Sequence, residues 1–392
     1  MNGPRIAVVG AGVLGAWTAR SLQLRGARVT LVDAWGPANS RSSSGDETRI
    51  IRGAYGDQPH YVELTDRSFH LWEELGSGSS GPLLDRIGAL WLFGDDSSFV
   101  TQALPHLERW HFPIEPLETT TARRRFPQIN WDGVVAAYHE HRAGLLYARR
   151  AVREVVARFA SAGGELRLAR VQPRSATNAG RHGLVLADGS SLKADRYVFA
   201  AGPWLCELFP DWIGPWLRPT RQEVFYFGTP AGDADLTGAA LPAWIDNARG
   251  SWYGIPGNED RGFKISSNDL GAVVDPTTAE RTPDAVRLQR ARVHLGFRFP
   301  ALAGAPLLES RVCQYENTPD RDLLIDFSPE DPNTLVIGGG SGHAFKMGPA
   351  LGELVARITL GEVPPPAIFQ TGRFASWPPE DPRLKAFAAL QR

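Results

Sequence analysis

The chain has 392 residues, and at about 150 residues per domain this length predicts two or three domains. Hydrophobic residues make up 43% and charged residues 22%, with a formal net charge of −1 and a pI near 6.8. That balance fits a globular protein and excludes a global field that would recruit nucleic acid or an acidic membrane.

The two cysteines, Cys206 and Cys313, stand far apart and outside any C-x-x-C, so neither a disulfide framework nor a zinc site is expected, and no metal is predicted. No apolar run approaches the roughly 20 residues of a membrane span. The first strand begins too early to leave room for a signal peptide, and a cytoplasmic location follows by default. The 12 Trp and 30 Pro are many, and are expected in surface loops and pockets.

The chain opens with its most informative stretch, Arg5 to Asp33. Ile6 to Val9 is an apolar run that reads as a buried parallel strand. Gly10-Ala11-Gly12-Val13-Leu14-Gly15 is G-x-G-x-x-G. Gly10 permits a tight turn, Gly12 a close backbone approach to a diphosphate, and Gly15 close helix–strand packing. Ala16 to Leu24 predicts a helix ended at Gly26, and Val29 to Val32 a second strand closed by Asp33. A carboxylate there can accept from a ribose 2′-hydroxyl, which favours FAD or NAD over a 2′-phosphate. Strand, turn, helix, strand and acid in order predict dinucleotide binding, with the diphosphate at the helix N-terminus.

Ala34 to Glu47 is rich in Gly, Pro, Asn and Ser and reads as loop. Thr48-Arg49-Ile50-Ile51-Arg52, taken alone, fits a helix start with two solvated arginines. Tyr61 to Leu75 and Ala148 to Ala162 have apolar residues at helical spacing. Between them, Ile87 to Phe93 and Gly133 to His139 read as strands, His106 to Ile114 follows a helix, and Thr119 to Phe126 is a helix stopped by Pro127. Glu165 to Val171 is strand-like. Leu184 to Leu192 has a hairpin signature around Asp188-Gly189. Ala194 to Gly202 is a strand into a glycine turn. Gln222 to Phe227, Trp252 to Ile255 and Gly262 to Ser266 suggest antiparallel sheet, followed by a helix over Pro283 to Phe297. Thr334 to Ile337 is a last buried strand before the glycine-rich turn Gly338 to His343 and a helix over Ala350 to Leu360. No internal repeat occurs, and no Ser/His/Asp order suggests a nucleophilic triad.

Four short motifs then carry a resemblance: Gly45-Asp46-Glu47-Thr48-Arg49-Ile50-Ile51-Arg52 with Ala54-Tyr55-Gly56; Ala200-Ala201-Gly202-Pro203-Trp204; Val312-Cys313-Gln314-Tyr315; and Ser341-Gly342-His343-Ala344-Phe345-Lys346. From Arg5 to about Phe374 the chain resembles the monomeric sarcosine oxidase and N-methyl amino acid oxidase branch of the D-amino acid oxidase-like flavoproteins. The resemblance implies an α/β fold, α+β overall, with a Rossmann-like FAD-binding domain and a second domain of mostly antiparallel sheet. The FAD domain is expected to be discontinuous, over 1–85, 145–220 and 313–392, with the substrate domain over 86–144 and 221–312.

It also implies FAD rather than NAD, held by Gly10, Gly12, Val13, Leu14, Gly15, Asp33, Thr48, Arg49, Val171, Gly202, Cys313, Gly340, Gly342, His343 and Lys346. By resemblance, Arg49 puts positive charge beside the flavin, and Arg52 and Lys346 clamp the substrate carboxylate. Tyr253 and Tyr315 border the substrate, and Lys264 assists reduction of oxygen near flavin N5. His343 is expected to be structural. Cys313 matches a cysteine joined to the flavin 8-methyl carbon by a thioether, whereas Cys206, in an apolar run, reads as a small buried hydrophobe.

Asn268 departs from the family, whose sarcosine-oxidising members carry histidine there, so substrate or pH dependence is expected to differ. The implied activity is oxidation of the C–N bond of a secondary or cyclic amino acid, with oxygen as acceptor, by a monomeric protein. A flavin dehydrogenase with another acceptor, a non-catalytic flavin-binding protein and an NAD-dependent dehydrogenase are the alternatives.

Overall fold

The computed structural model describes residues 3–390, without the side chains of residues 174 and 175. The first and last two residues of the expected FAD domain, 1–2 and 391–392, lie outside the described residues.

The apolar run Arg5–Val9 is the centre of a six-stranded sheet. The strand order is Leu324–Phe327, Thr334–Gly338, Arg196–Phe199, Arg5–Val9, Arg28–Asp33, Glu165–Leu168. All neighbours pair in parallel except the antiparallel edge strand Leu324–Phe327. Strands buried on both faces need helices on both faces or an equivalent cover. Helices Val13–Leu24, Pro59–Gly76, Ala148–Ser161 and Gly348–Leu360 share one core with this sheet. The turn between the first strand and first helix works as its glycines require. Gly10 has φ +105°, and a side chain on Gly15 would overlap the Gly10 carbonyl.

A second sheet has eight strands in the order Leu307–Asn317, Arg218–Phe227, Phe263–Ser267, Trp252–Ile255, Ala243–Asn247, Ala89–Phe93, Ala136–Glu140, Ile114–Pro116. It is antiparallel apart from the pair Ala243–Asn247 and Ala89–Phe93. Helix Ala285–Arg298 packs on it, N-capped by Asp284, whose Oδ1 accepts from the Arg287 amide at 2.9 Å. The same helix is tied down by Arg298, whose Nε donates to buried Asp246 at 2.7 Å. Strands Arg218–Phe227 and Leu307–Asn317 run straight through the expected domain boundaries at 220/221 and 312/313. A small third sheet joins Thr48–Ile51, Gly144–Tyr147 and Leu84–Asp85.

Three local expectations are corrected. Thr48–Ile51 is a strand, not a helix start, because its apolar residues pair with Gly144–Tyr147. Residues 106–109 belong to the helix Leu104–Arg109 rather than following one. Trp72 and Trp244 are fully buried core residues, not loop or pocket material; their large apolar area is worth most where water is excluded. Among the described residues no helix is long and apolar enough to cross a membrane.

Candidate active site

A cleft opens at the carboxyl ends of the parallel strands, where open α/β sheets bind ligands. Gly10, Gly12, Val13, Leu14 and Asp33 form one wall, Val171 and Gly202 another, and Gly340, Gly342 and His343 close the far end. Asp33 is fixed by three backbone amides, from Ala11 at 2.7 Å, Trp35 at 2.8 Å and Gly36 at 2.7 Å. Burial pushes its pKa up, and these N–H groups oppose the rise. Gly15 sits under the turn rather than on the cleft, and Thr48 contributes only its carbonyl, which accepts from Arg49 and Lys264. The loop read only as Gly/Ser-rich supplies Ser42, Ser43 and Ser44 to the wall, and Glu316 is a further lining residue without a sequence signal.

Toward the far end, Asp46 is the hub. Its carboxylate accepts from Lys264 Nζ at 2.6 Å, Arg49 Nη1 at 2.7 Å and Tyr226 Oη at 2.6 Å. Burial alone would raise its pKa; the charges of Lys264 and Arg49 outweigh that and hold it well below the ordinary carboxylate range. Burial likewise opposes the Arg49 charge, but Asp46 wins and its pKa rises. Lys264 goes the other way, with burial lowering its pKa more than Asp46 restores it.

Lys264 stands on a strand interior to the second sheet, and its buried ammonium donates to Asp46 and to the Thr48 carbonyl. Cys313 Sγ lies 4.0 Å from Arg49 Nη2, beside the Ser43 carbonyl. Cys206 instead donates to the Pro203 carbonyl at 3.1 Å, and burial pushes its thiol up to about 11.

A second cavity of roughly 510 Å³ adjoins the cleft, and Arg49, Tyr315, Gly342, His343 and Phe345 line both. Arg52 projects into it, with its guanidinium on the Ala54 carbonyl and over the rings of Tyr55 (4.6 Å) and Trp91 (5.0 Å). Lys346 Nζ donates to Tyr55 Oη and to the His343 carbonyl, both at 2.7 Å. Burial, then the neighbouring Arg52 charge, push the Lys346 pKa well down. The Tyr253 and Tyr315 hydroxyls lie 3.2 Å apart, and burial raises the pKa of both. His343 bonds the Arg321 carbonyl through Nε2 at 2.9 Å, and burial, then Lys346, lower its pKa to about 3. Asn268 is exposed and lines this cavity, its amide on the Ser251 carbonyl at 2.8 Å.

Away from the cleft, Glu115, His139 and His141 lie together. Arg125 already stands where a cation would, 2.7 Å from Glu115 and 2.9 Å from His139 Nδ1.

The cleft suits FAD on its own features. The first turn of helix Val13–Leu24 carries no acid to repel a diphosphate. Ser43 Oγ and Glu316 Oε2 are buried on the cleft wall without a protein partner, as groups awaiting a polar ligand would be.

The family model for FAD-dependent oxidoreductases, the D-amino acid oxidase family, matches residues 5–358. The chain belongs to the FAD-dependent oxidoreductase family. It is 30% identical over 381 residues to a monomeric sarcosine oxidase of Streptomyces avermitilis, covering 95% of this chain and 98% of that one. It is 29% identical over 362 residues to an N-methyl-L-tryptophan oxidase of Salmonella typhimurium, covering 91% and 95%.

Among solved structures, L-proline dehydrogenase from P. horikoshii superposes with a TM-score of 0.81 at 22% identity, covering 95% and 98%. Amadoriase I from Aspergillus fumigatus gives 0.76 at 22%, covering 94% and 90%. These two show the shared fold. As a member of the family, this chain is an FAD-dependent enzyme that oxidises amines or amino acids.

Proposed function

We propose that this FAD-dependent oxidoreductase is an oxidase of the C–N bond of a secondary or cyclic amino acid, such as sarcosine, another N-methyl amino acid or a pipecolate-like ring. It would release an imine, with oxygen reduced to hydrogen peroxide. The observation that carries this reading is a pair of cations, Arg52 and Lys346, on a cavity continuous with the FAD cleft. The names of the relatives, which act on sarcosine and N-methyl-L-tryptophan, support the substrate class.

When bound, FAD accepts the hydrogen and electron pair that leave the substrate carbon. The residues do the rest. Arg52 presents a planar fork to the substrate carboxylate and is braced by its aromatic neighbours. Lys346 is depressed by burial, so an arriving carboxylate restores its charge. Arg49 keeps a permanent positive charge at the junction of cleft and cavity. Tyr253 and Tyr315 stay neutral and border the amine. Lys264 supports oxygen reduction from behind Asp46.

The remaining cofactor contacts belong to the same reading, as does the division into a cofactor part (1–85, 145–220, 313–392) and a substrate part (86–144, 221–312), which the two sheets support. Cys313 carries the flavin through a thioether. Forming it would remove one hydrogen from the thiol and one from the 8-methyl group, with oxygen as the acceptor of both electrons. The permanent charge of Arg49 stands 4.0 Å from the sulfur.

The test is anaerobic mixing with N-methyl, cyclic and unsubstituted amino acids. Loss of flavin absorbance with the first two groups, and peroxide on admitting air, are expected. A panel that leaves the flavin oxidised throughout refutes the reading in favour of a non-catalytic flavoprotein. Because Lys264 is sealed from the cavity, a dehydrogenase is the second reading; flavin reduction without peroxide in air would select it.

A further inference from the structure

Arg52 and Lys346 account for one substrate carboxylate. Of the two other cations on the same cavity, Arg49 is paired with Asp46 and Arg321 is left over. It sits in the loop between strands Leu307–Asn317 and Leu324–Phe327. Its backbone has φ +66°, a left-handed conformation that costs energy for a long side chain. Two contacts hold it there. Its amide donates to the Thr318 carbonyl at 3.2 Å, and its carbonyl accepts from His343 Nε2 at 2.9 Å. His343 in turn receives Lys346 Nζ on its own carbonyl at 2.7 Å. One half-buried residue therefore anchors both cations, and its imidazole, with a pKa near 3, stays neutral and adds no competing charge.

The Arg321 guanidinium has no carboxylate within 4 Å among the described residues. Its neighbours in sequence are committed elsewhere: Asp320 to Arg373 at 2.7 and 3.1 Å, and Asp322 to the Tyr61 hydroxyl at 2.8 Å. Among the described residues its guanidinium has one hydrogen-bond acceptor, the Ser341 carbonyl, a long 3.4 Å from Nη2. Arg49, the other cavity arginine near the cleft, shows what a satisfied guanidinium looks like here, with Asp46 and two carbonyls on it. Arg321 offers a half-buried, permanently charged fork with most of its N–H groups unspent.

We propose that Arg321 binds a second carboxylate on the substrate side chain, so that the enzyme prefers N-substituted amino acids with an acidic side chain over their neutral counterparts. This rests on the amino acid oxidase reading and adds the side chain. The carboxyl carbon next to the reacting C–N bond goes to Arg52 and Lys346, and the distal carboxylate goes to Arg321.

Two measurements separate the two readings. In the first, holoenzyme is titrated with glutarate and with its mono-amide, following the shift in flavin absorbance; no turnover is needed. One charge-assisted hydrogen bond corresponds to roughly ten- to a hundredfold in affinity. Glutarate should bind at least tenfold more tightly, Arg321→Gln should erase the difference while leaving mono-amide binding unchanged, and Arg321→Lys should keep part of it. In the second, N-methylglutamate and N-methylglutamine are compared as reductants of the flavin, with the same expected ranking.

Equal binding of the two ligands to the wild type, binding of neither, or an Arg321→Gln variant that weakens both alike, overturns the proposal. Because each comparison is made within one variant, a general loss of folding does not imitate loss of discrimination. Discrimination in the titration with no flavin reduction by either N-methyl compound would sink the oxidase reading while leaving Arg321 as the reader of a second anion.

Discussion

Replacing Asp46 by Asn keeps the side-chain shape but removes the one negative charge shared by Arg49 and Lys264, at 2.7 and 2.6 Å. Asp46 and Lys264 are both nearly inaccessible to water, with side-chain exposures of 2% and 1%. Removing one partner of a buried ion pair costs about 3–5 kcal/mol, because the other charge stays behind unpaired. Here two cations are orphaned, which pushes toward the upper end. Lys264 limits the loss: burial already lowers its pKa, so it can shed its proton instead of remaining charged.

Lys264→Met should be milder, since Asp46 keeps Arg49 and the Tyr226 hydroxyl. We therefore expect Asp46→Asn to cost about 3–4 kcal/mol and Lys264→Met about 2 kcal/mol or less. Urea unfolding of the three holoproteins at one FAD concentration, followed by circular dichroism, measures this. The flavin affinity of each must be determined in parallel, because bound ligand stabilises by RT ln(1 + [L]/Kd). An Asp46→Asn midpoint equivalent to a loss under about 1 kcal/mol, or a Lys264→Met loss as large as that of Asp46→Asn, would refute the hub.

Three further outcomes follow from the site. Acid precipitation of the wild type and of Cys206→Ala should leave yellow pellets, and Cys313→Ala a white one; a white wild-type pellet rules out the thioether. Lys264→Met should slow reoxidation by oxygen far more than anaerobic reduction, and stopped-flow traces with unchanged reoxidation would remove that role. Burial raises the Glu316 pKa to about 7 from an ordinary 4.5, so its contribution to stability is full below pH 4.5 and is lost as pH rises through 7. The wild type should therefore lose up to about 3 kcal/mol relative to Glu316→Gln across that window, and a melting-temperature difference that stays flat with pH contradicts it.

The start of the chain was legible because its signal is local. Turn glycines, helix formers and Asp33 all act within one βαβ unit; Gly10, Gly12, Val13, Leu14 and Asp33 line the cleft, and Gly15 packs against the Gly10 carbonyl as its spacing predicts. Arg52 and Lys346 were found through motifs, and the cavity brings them to one place. What was missed depends on partners far away in sequence. Asp46 looks like one more polar loop residue until Lys264 and Tyr226 arrive from the second sheet. Lys264 was read only through the resemblance, since its counter-ion Asp46 lies in another sheet's approach loop. Arg321 carried no signal at all; its meaning lies in a left-handed backbone and in what its neighbours are already bonded to.

The order of strands in the first sheet has a consequence for biogenesis. A ribosome delivers Arg5–Val9 and Arg28–Asp33 first, but Thr334–Gly338, which pairs with Arg196–Phe199, and the turn carrying Gly340 to Lys346 come near the end. Until then Arg196–Phe199 has an open edge, an invitation to wrong pairing. The nascent chain can form the Gly10–Gly15 turn early, yet its cleft stays open on the side that Gly340, Gly342 and His343 line. The cleft is therefore completed only when synthesis is nearly over, and the long-range pairing that completes it makes this a slowly maturing fold.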